Sequence, residues 1–187
     1  MPENISNKSA LRRMLLADRQ AIAPEVRKRW DDEIASRLIT WWESHRLETL
    51  GIYWPIRGEP DLREAYKELA NREVQLALPV VVSKDAPLKF LAWKPGDAML
   101  QDAFGVAIPA SGVEVIPAAL LIPCLGFNKL YFRLGYGGGF YDRTLALSPR
   151  PLTVGVGYSQ GLAAFDADSH DVALDAVITE TSAIDLV

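Results

Sequence analysis

The sequence predicts an α/β fold: a three-layer domain with a central mixed, largely parallel sheet flanked by helices. Three observations predict it. Residues 6 to 41 carry a helical period. Short apolar runs follow, bounded by Gly and Pro and rich in Val, Leu and Ile. Those runs alternate with a further helical segment and with irregular stretches, the order expected of a sheet covered by helices.

Each element can be justified in turn. From Ser6 to about Ile22, Leu11, Met14, Leu15 and Ile22 lie near one helical face. Pro24 suits the first turn of a second helix. In that helix Val26, Trp30, Ile34, Leu38 and Trp41 recur at three or four residues, so the tryptophans read as core. Leu50 to Trp54 (LGIYW) is a strand ending at Pro55. Leu62, Ala65, Tyr66 and Leu69 suggest a third helix. Val74 to Val82 is a strand with Pro79 as an end or a bulge. Leu88 to Trp93 is another. Lys94 to Pro117 is weakly patterned and predicts no regular element. Ala118 to Ile122 reads as a fully buried run. Gly139 to Ala146 can begin a helix, and Leu152 to Tyr158 and Ala173 to Thr179 read as the last two strands. There is no repeat, low-complexity segment or linker, so residues 1–187 read as a single domain.

Composition narrows the function. Twenty basic against 24 acidic residues give a net charge of -4, which argues against general nucleic-acid binding. A few local arginines can still hold a small anion in an acidic protein. The single cysteine, Cys124, allows no internal disulfide and lies in an apolar run, where it reads as core rather than as a nucleophile. The N-terminus lacks an apolar signal core, and no run approaches membrane-spanning length. The expectation is a cytoplasmic monomer that acts on small molecules, without nucleic-acid or membrane partners.

The most informative stretch is Phe132 to Arg143, FRLGYGGGFYDR. Gly135, Gly137, Gly138 and Gly139 leave backbone N–H groups uncovered, and a helix start behind them adds partial positive charge. Arg133 and Arg143 can contact phosphate oxygens, and Asp142 can ligate a Mg²⁺ that bridges them. The spacing fits neither a dinucleotide fingerprint nor a P-loop. A phosphate cradle and a plain mobile loop both remain open, with the arginines and the acid favouring the cradle. Tyr136 or Phe140 can stack on a flat heterocycle. Tyr141 is better read as packing the new helix onto the sheet. Lys8 and Arg12 stand four residues apart on one helix face, either as a solvated basic face or as a site for a polyanion.

These motifs together resemble the 5-formyltetrahydrofolate cyclo-ligase family. LGFNKLYFRLGYGGGFYDRTL is similar to the family's PGxxFDxxGxRLGxGxGxYDRxL. Lys8-x-x-x-Arg12, GIYWPIRGEPD, LALPVV, FLAWKPGD, GVGYSQG and HDVALDAVITE resemble further family segments in the same order across almost the whole chain. The resemblance implies a three-layer α/β fold and an ATP-dependent reaction with Mg²⁺. In it 5-formyltetrahydrofolate closes to 5,10-methenyltetrahydrofolate, releasing ADP and phosphate. The formyl oxygen is phosphorylated, and the folate's anilinic nitrogen at position 10 then attacks the activated carbon. By the same resemblance Lys8 and Arg12 hold ATP phosphates. Arg133, Leu134, Gly135, Tyr136, Gly137, Gly138, Gly139, Phe140 and Tyr141 form the nucleotide loop, with Arg133 and Tyr136 as catalytic residues. Tyr136 to Phe140 also border the folate, together with Ile56, Glu59 and Asp61. Asp142 and Asp175 are the implied Mg²⁺ ligands. Glu59 has a second reading, a helix-start acid favoured by the dipole. His170 reads as a structural or surface-turn residue and His45 as incidental.

The chain departs from the family at Asn128, Ala118 and Ile108, where acids are usual and were expected near the site, and at Tyr131, where Gly is usual. Two other classes of function therefore stand beside the cyclo-ligase: a non-catalytic folate- or nucleotide-binding relative, and an ATP-using enzyme for another formyl or amide substrate.

Overall fold

The computed structural model describes residues 3–185, with side chains described for 8–183. Helix α1 spans Glu3–Gln20, and α2 spans Pro24–His45 with Pro at its first turn. The strands and remaining helices follow in chain order: β1 (Thr49–Gly51), α3 (Arg63–Asn71), β2 (Gln75–Val80), β3 (Lys89–Trp93), β4 (Met99–Gln101), β5 (Ala107–Pro109), β6 (Glu114–Val115), β7 (Ala119–Pro123), β8 (Gly126–Phe127), β9 (Arg133–Leu134), α4 (Phe140–Leu145), β10 (Leu152–Val156), β11 (Ala176–Ile178) and β12 (Ala183–Asp185).

Eight strands form one sheet in the order β12-β11-β10-β7-β1-β2-β3-β6. The central strands β11, β10, β7, β1 and β2 are parallel, and β12, β3 and β6 add antiparallel edges. The mixed, largely parallel sheet expected from the sequence is present. Alternation sets its two faces. Leu50, Leu76, Leu78, Leu121, Val154, Val156 and Ile178 face Ile34, Leu38, Trp41, Trp42, Tyr66 and Leu69 of α2 and α3. Ala77, Phe90, Leu120, Ile122 and Val177 face the opposite way, against Leu145, Leu174 and Phe127. That second layer is thin, since α4 has only six residues and loops cover the rest.

Several differences from the expected elements have simple causes. The stretch from Lys94 to Pro117 holds β4, β5 and β6, of two or three residues each, too short to show alternation. The β8–β9 hairpin and β12 were missed for the same reason. Pro79 is neither a bulge nor an end. It pairs with Phe90 of β3, beyond the last β1 rung at Gly51–Ala77, so its missing N–H is not needed by β1. Cys124 is core, with its thiol buried against the second face.

The C-terminal ends of the parallel strands fix where loops can converge. The loop after β1 carries Ile56 to Asp61, and the segment after β7 carries the β8–β9 hairpin and the glycines. Helix α1 lies against that hairpin, with Leu15 packed on Leu125 and Leu134. In open α/β sheets this edge is where ligands bind.

Candidate functional site

Beyond β1 the chain turns sharply at residues 56–59. The Glu59 amide donates to the Ile56 carbonyl at 2.9 Å, and Arg57 and Gly58 both take positive φ, 49° and 75°. The Glu59 carboxylate bends back over the turn, and its Oε2 accepts from the Ile56 amide at 2.9 Å. Its Oε1 accepts from the Tyr136 hydroxyl at 3.0 Å. Glu59 is 4% exposed. Burial pushes its carboxyl up to about 7, against the pull of the Ile56 amide, Arg19, the Tyr136 hydroxyl and Arg57. The helix-start reading of Glu59 is corrected: α3 begins at Arg63, and the acid beside it is Asp61, whose Oδ1 accepts from the Arg63 amide at 3.1 Å. Asp61 is engaged by the Arg63 side chain at 2.5 and 2.8 Å, which holds its carboxyl below the usual range. Ile56 is half-buried at the head of the turn.

Helix α1 presents one cationic stripe to these loops. At 100° per residue, Lys8, Arg12 and Arg19 fall within about 40° of one another. Lys8 is buried and contacts Asp168 Oδ2 at 2.7 Å and Asp171 Oδ2 at 3.1 Å. Burial disfavours its ammonium, but those two acids outweigh the penalty and raise its pKa. Arg12 Nε donates to the Gly135 carbonyl at 2.8 Å, and its guanidinium lies beneath Gly137, 3.7 Å from where a Cβ would be. The solvated-face reading of Lys8 and Arg12 does not hold, because both reach inward. Arg19 donates from Nη2 to the Tyr136 hydroxyl and from Nε to the Arg57 carbonyl at 3.2 Å.

The glycine loop runs from β9 into α4. Gly137 and Gly139 need positive φ, 93° and 67°. A Cβ at Gly138 would meet the Phe140 ring at 2.9 Å, whereas one at Gly135 would meet nothing within 4 Å. Arg143 ties the loop down through the Gly138, Lys84 and Ala86 carbonyls at 2.9, 2.9 and 3.3 Å. Arg133 points inward. Its Nη2 lies 2.8 Å from Asp142 Oδ1, and its Nη1 donates to the Val172 carbonyl at 3.4 Å. Asp142 Oδ2 has no hydrogen bond among the described residues. Leu134 is buried under α1, and Tyr141 packs into the second face as expected. Phe140 takes the edge of the Phe104 ring, from the β4–β5 turn, with centroids 6.2 Å apart.

The structure therefore brings together Ile56, Glu59, Arg12 and the loop from Arg133 to Asp142. Lys8 adjoins them on α1 but is engaged by the 168–171 segment. Asp175 lies elsewhere, just before β11. Its Oδ2 accepts from the Thr153 amide and hydroxyl at 2.8 and 2.7 Å and from Arg150 at 3.1 Å. Ala118 precedes β7 at the opposite edge of the sheet, bonded to Thr49, so it is not a lost acid of this site. Ile108 is half-buried in β5. Asn128 is buried in the hairpin turn, where its Oδ1 accepts from the Leu130 and Phe132 amides at 3.0 and 3.1 Å and its Nδ2 donates to the Phe165 carbonyl at 3.0 Å. Tyr131 takes the φ of 63° that Gly would take there. His170 is exposed, and the ring of His45 stacks on Trp41. Sequence reasoning missed Arg19 and Arg57. Arg19 had a signal, its place two helical turns beyond Arg12, but Arg57 had none.

Comparison with known proteins places this geometry. The sequence profile of the 5-formyltetrahydrofolate cyclo-ligase family matches residues 4–180. A 5-formyltetrahydrofolate cyclo-ligase of Mycolicibacterium smegmatis is 30% identical over 186 residues, covering 92% of this chain and 93% of that one. Its counterpart from Mycoplasma pneumoniae is 29% identical, covering 93% and 99%. Among solved structures, the 5,10-methenyltetrahydrofolate synthetase of Aquifex aeolicus superposes with a TM-score of 0.83 at 30% identity, covering 96% of this chain and 92% of that one. Motif order, sheet topology and these likenesses agree, and the chain belongs to the 5-formyltetrahydrofolate cyclo-ligase family.

Proposed function

We propose that the protein closes 5-formyltetrahydrofolate to 5,10-methenyltetrahydrofolate at the expense of ATP, releasing ADP and phosphate. The observation that carries this reading is Tyr136. It lies within the bare glycine backbone above Arg12, and its hydroxyl reaches the buried carboxylate of Glu59. One residue thus joins a phosphate-type cradle to a carboxylate suited to the N–H edge of a pterin.

In this reading Lys8, Arg12 and the backbone from Arg133 to Tyr141 bind the triphosphate. Gly135 supports this, because nothing among the described residues requires a glycine there. Ile56, Glu59 and the stretch from Tyr136 to Phe140 bind the folate. Asp61, engaged by Arg63, fixes the end of that loop. The formyl oxygen attacks the γ-phosphorus, a new O–P bond forms, and the bond to the β-phosphate oxygen breaks to release ADP. The anilinic nitrogen then attacks the activated carbon and gives up its proton, and the C–O bond breaks with departure of phosphate. The protein's task is alignment and charge neutralisation. Arg133 serves this through the wall of the cradle, where it holds Asp142. Mg²⁺ commonly binds through one or two carboxylates plus substrate phosphates. Asp142, which Arg133 holds beside the glycine loop with Oδ2 uncommitted among the described residues, fits that pattern better than Asp175, which lies away from the loop before β11 and is bonded to Thr153 and Arg150. Bound there, Mg²⁺ would neutralise phosphate charge.

The test is absorbance in the methenyl-folate band with purified protein, Mg-ATP and 5-formyltetrahydrofolate. A rise that requires all three is expected. A flat trace from folded protein that still binds ATP would leave a non-catalytic relative, and turnover only of another formyl compound would move the activity to a different substrate.

A further inference from the structure

We propose that Arg19 is a positioning residue for the folate end of the site: it fixes the Tyr136 hydroxyl so that its hydrogen points to Glu59, and so keeps the Glu59 carboxylate an acceptor. This rests on the reading that Glu59 accepts from the folate.

Hydrogen count fixes the direction of donation. A guanidinium can only donate. Arg19 Nη2 contacts the Tyr136 oxygen, so that oxygen must accept there. The phenol has a single hydrogen, and Glu59 Oε1 stands 3.0 Å away to take it. Donation therefore runs one way, from Arg19 to Tyr136 to Glu59. The oxygen it reaches cannot itself be a donor.

Arg19 is well held for this task. It is 3% exposed. Its backbone carbonyl accepts from Arg27 Nη2 at 3.1 Å, which fixes the end of α1. Its Nε bonds the Arg57 carbonyl at 3.2 Å, which ties it to the turn that carries Glu59. Both Arg19 and Arg57 flank the Tyr136 ring, 5.7 and 5.0 Å from its centroid. Nη1 of Arg19 is buried without a hydrogen-bond partner among the described residues. Leaving part of a buried charge unsatisfied is costly. The position is better explained by what the guanidinium does to its neighbours, the Tyr136 hydroxyl and the Arg57 carbonyl.

The charged groups facing Glu59 are Arg19 from α1 and Arg57 from its own turn. The other titratable neighbours are Tyr53, Tyr66, Tyr136, Tyr141 and Cys124. Burial pushes all of these up and keeps them neutral, with Tyr136 and Cys124 at about 12. A pH response at Glu59 can therefore be read without interference from them.

The experiment compares Arg19→Gln, Arg19→Lys, Tyr136→Phe, Glu59→Gln and the Arg19→Gln/Tyr136→Phe double variant. It measures KM for folate and for ATP, and the pH profile of kcat/KM for folate. Wild type should gain kcat/KM as pH rises through neutrality and Glu59 loses its proton. Arg19→Gln should raise the folate KM roughly tenfold or more, the loss of a hydrogen bond from a charged group, with the ATP KM unchanged. It should also move the pH limb upward. Arg19→Lys should restore the limb, because charge is kept, but not the whole KM, because lysine lacks the fork that spans Tyr136 and Arg57. The double variant should lose little beyond the worse single one. Tyr136→Phe probes the same chain with α1 still anchored, should Arg19→Gln fail to fold. If the limb stays in place in Arg19→Gln, or if folate and ATP KM rise together with a lower Tm, Arg19 is only structural. If Glu59→Gln keeps both limb and folate KM, the Glu59 reading fails and this inference with it.

Discussion

At the scale of the residue, two buried polar groups explain most of what this site asks of its chain. Glu59 is an acid whose burial opposes its charge, with its carboxyl pushed from 4.5 up to about 7. The sign follows from proton binding. Between these values the folded state holds a proton that the unfolded state has lost, so stability is fullest below about 4.5 and falls as pH rises through 7. A shift of this size corresponds to about 3 kcal/mol. Glu59→Gln should therefore be more stable than wild type at pH 8, and the gap should close toward pH 5 in urea titrations. Burial pushes Asp31 up as well, to about 6, but it is present in both proteins and cancels in the difference. An equal gap at both pH values would show that Glu59 folds with an ordinary carboxyl. Asn128 shows why a missing acid need not mean a missing ligand. Its amide caps the hairpin turn and donates to Phe165, which a carboxylate cannot do. Asn128→Asp should cost about 1–3 kcal/mol, read as a lower urea midpoint. An unchanged midpoint would return this position to the list of lost carboxylates. Neither result was legible in the sequence, since burial decides the first and a partner 37 residues away the second.

At the scale of the element, legibility followed length. α1, α2, α3 and the strands β2, β3, β7 and β10 are long enough to show a period, and they were read correctly to within a few residues. Of the two- and three-residue strands, β1 and β11 were read because each lies in a longer apolar run, and the others have no period to show. The glycine loop was legible as an element but not in its parts. Two of its glycines serve the backbone, and a third clears Phe140. Gly135 does none of these things, and this separates fold from ligand. Gly135→Ala should melt with wild type yet bind ATP weakly, because the new methyl group would stand where the proposed cradle admits phosphate. Gly139→Ala should lose about 1–2 kcal/mol from its positive φ, and more if Arg143 cannot move from 2.8 Å away. Full ATP affinity in Gly135→Ala would remove this backbone from the nucleotide site.

At the scale of the whole molecule, the site is held by contacts that the sequence keeps far apart. Lys8 reaches Asp168 across 160 residues, Arg12 reaches Gly135 across 123, and Arg19 reaches Tyr136 across 117. All three start from α1, whose buried apolar contact is chiefly Leu15 on Leu125 and Leu134. Docking of α1 therefore depends on the loops proposed to bind ligand, and ligand should in turn stabilise the docking. A ligand at a hundred times its Kd adds about 2.7 kcal/mol to the folded state. Mg-ATP should raise the Tm and slow amide hydrogen exchange in α1 and in the glycine loop together. In Arg12→Ala that joint protection should be lost, while folate, if it binds at Glu59 and Tyr136 as proposed, should still raise the Tm. Protection of the loop alone in wild type would mean that the α1 cations serve packing rather than phosphate, and that ATP is held by the glycine backbone without them.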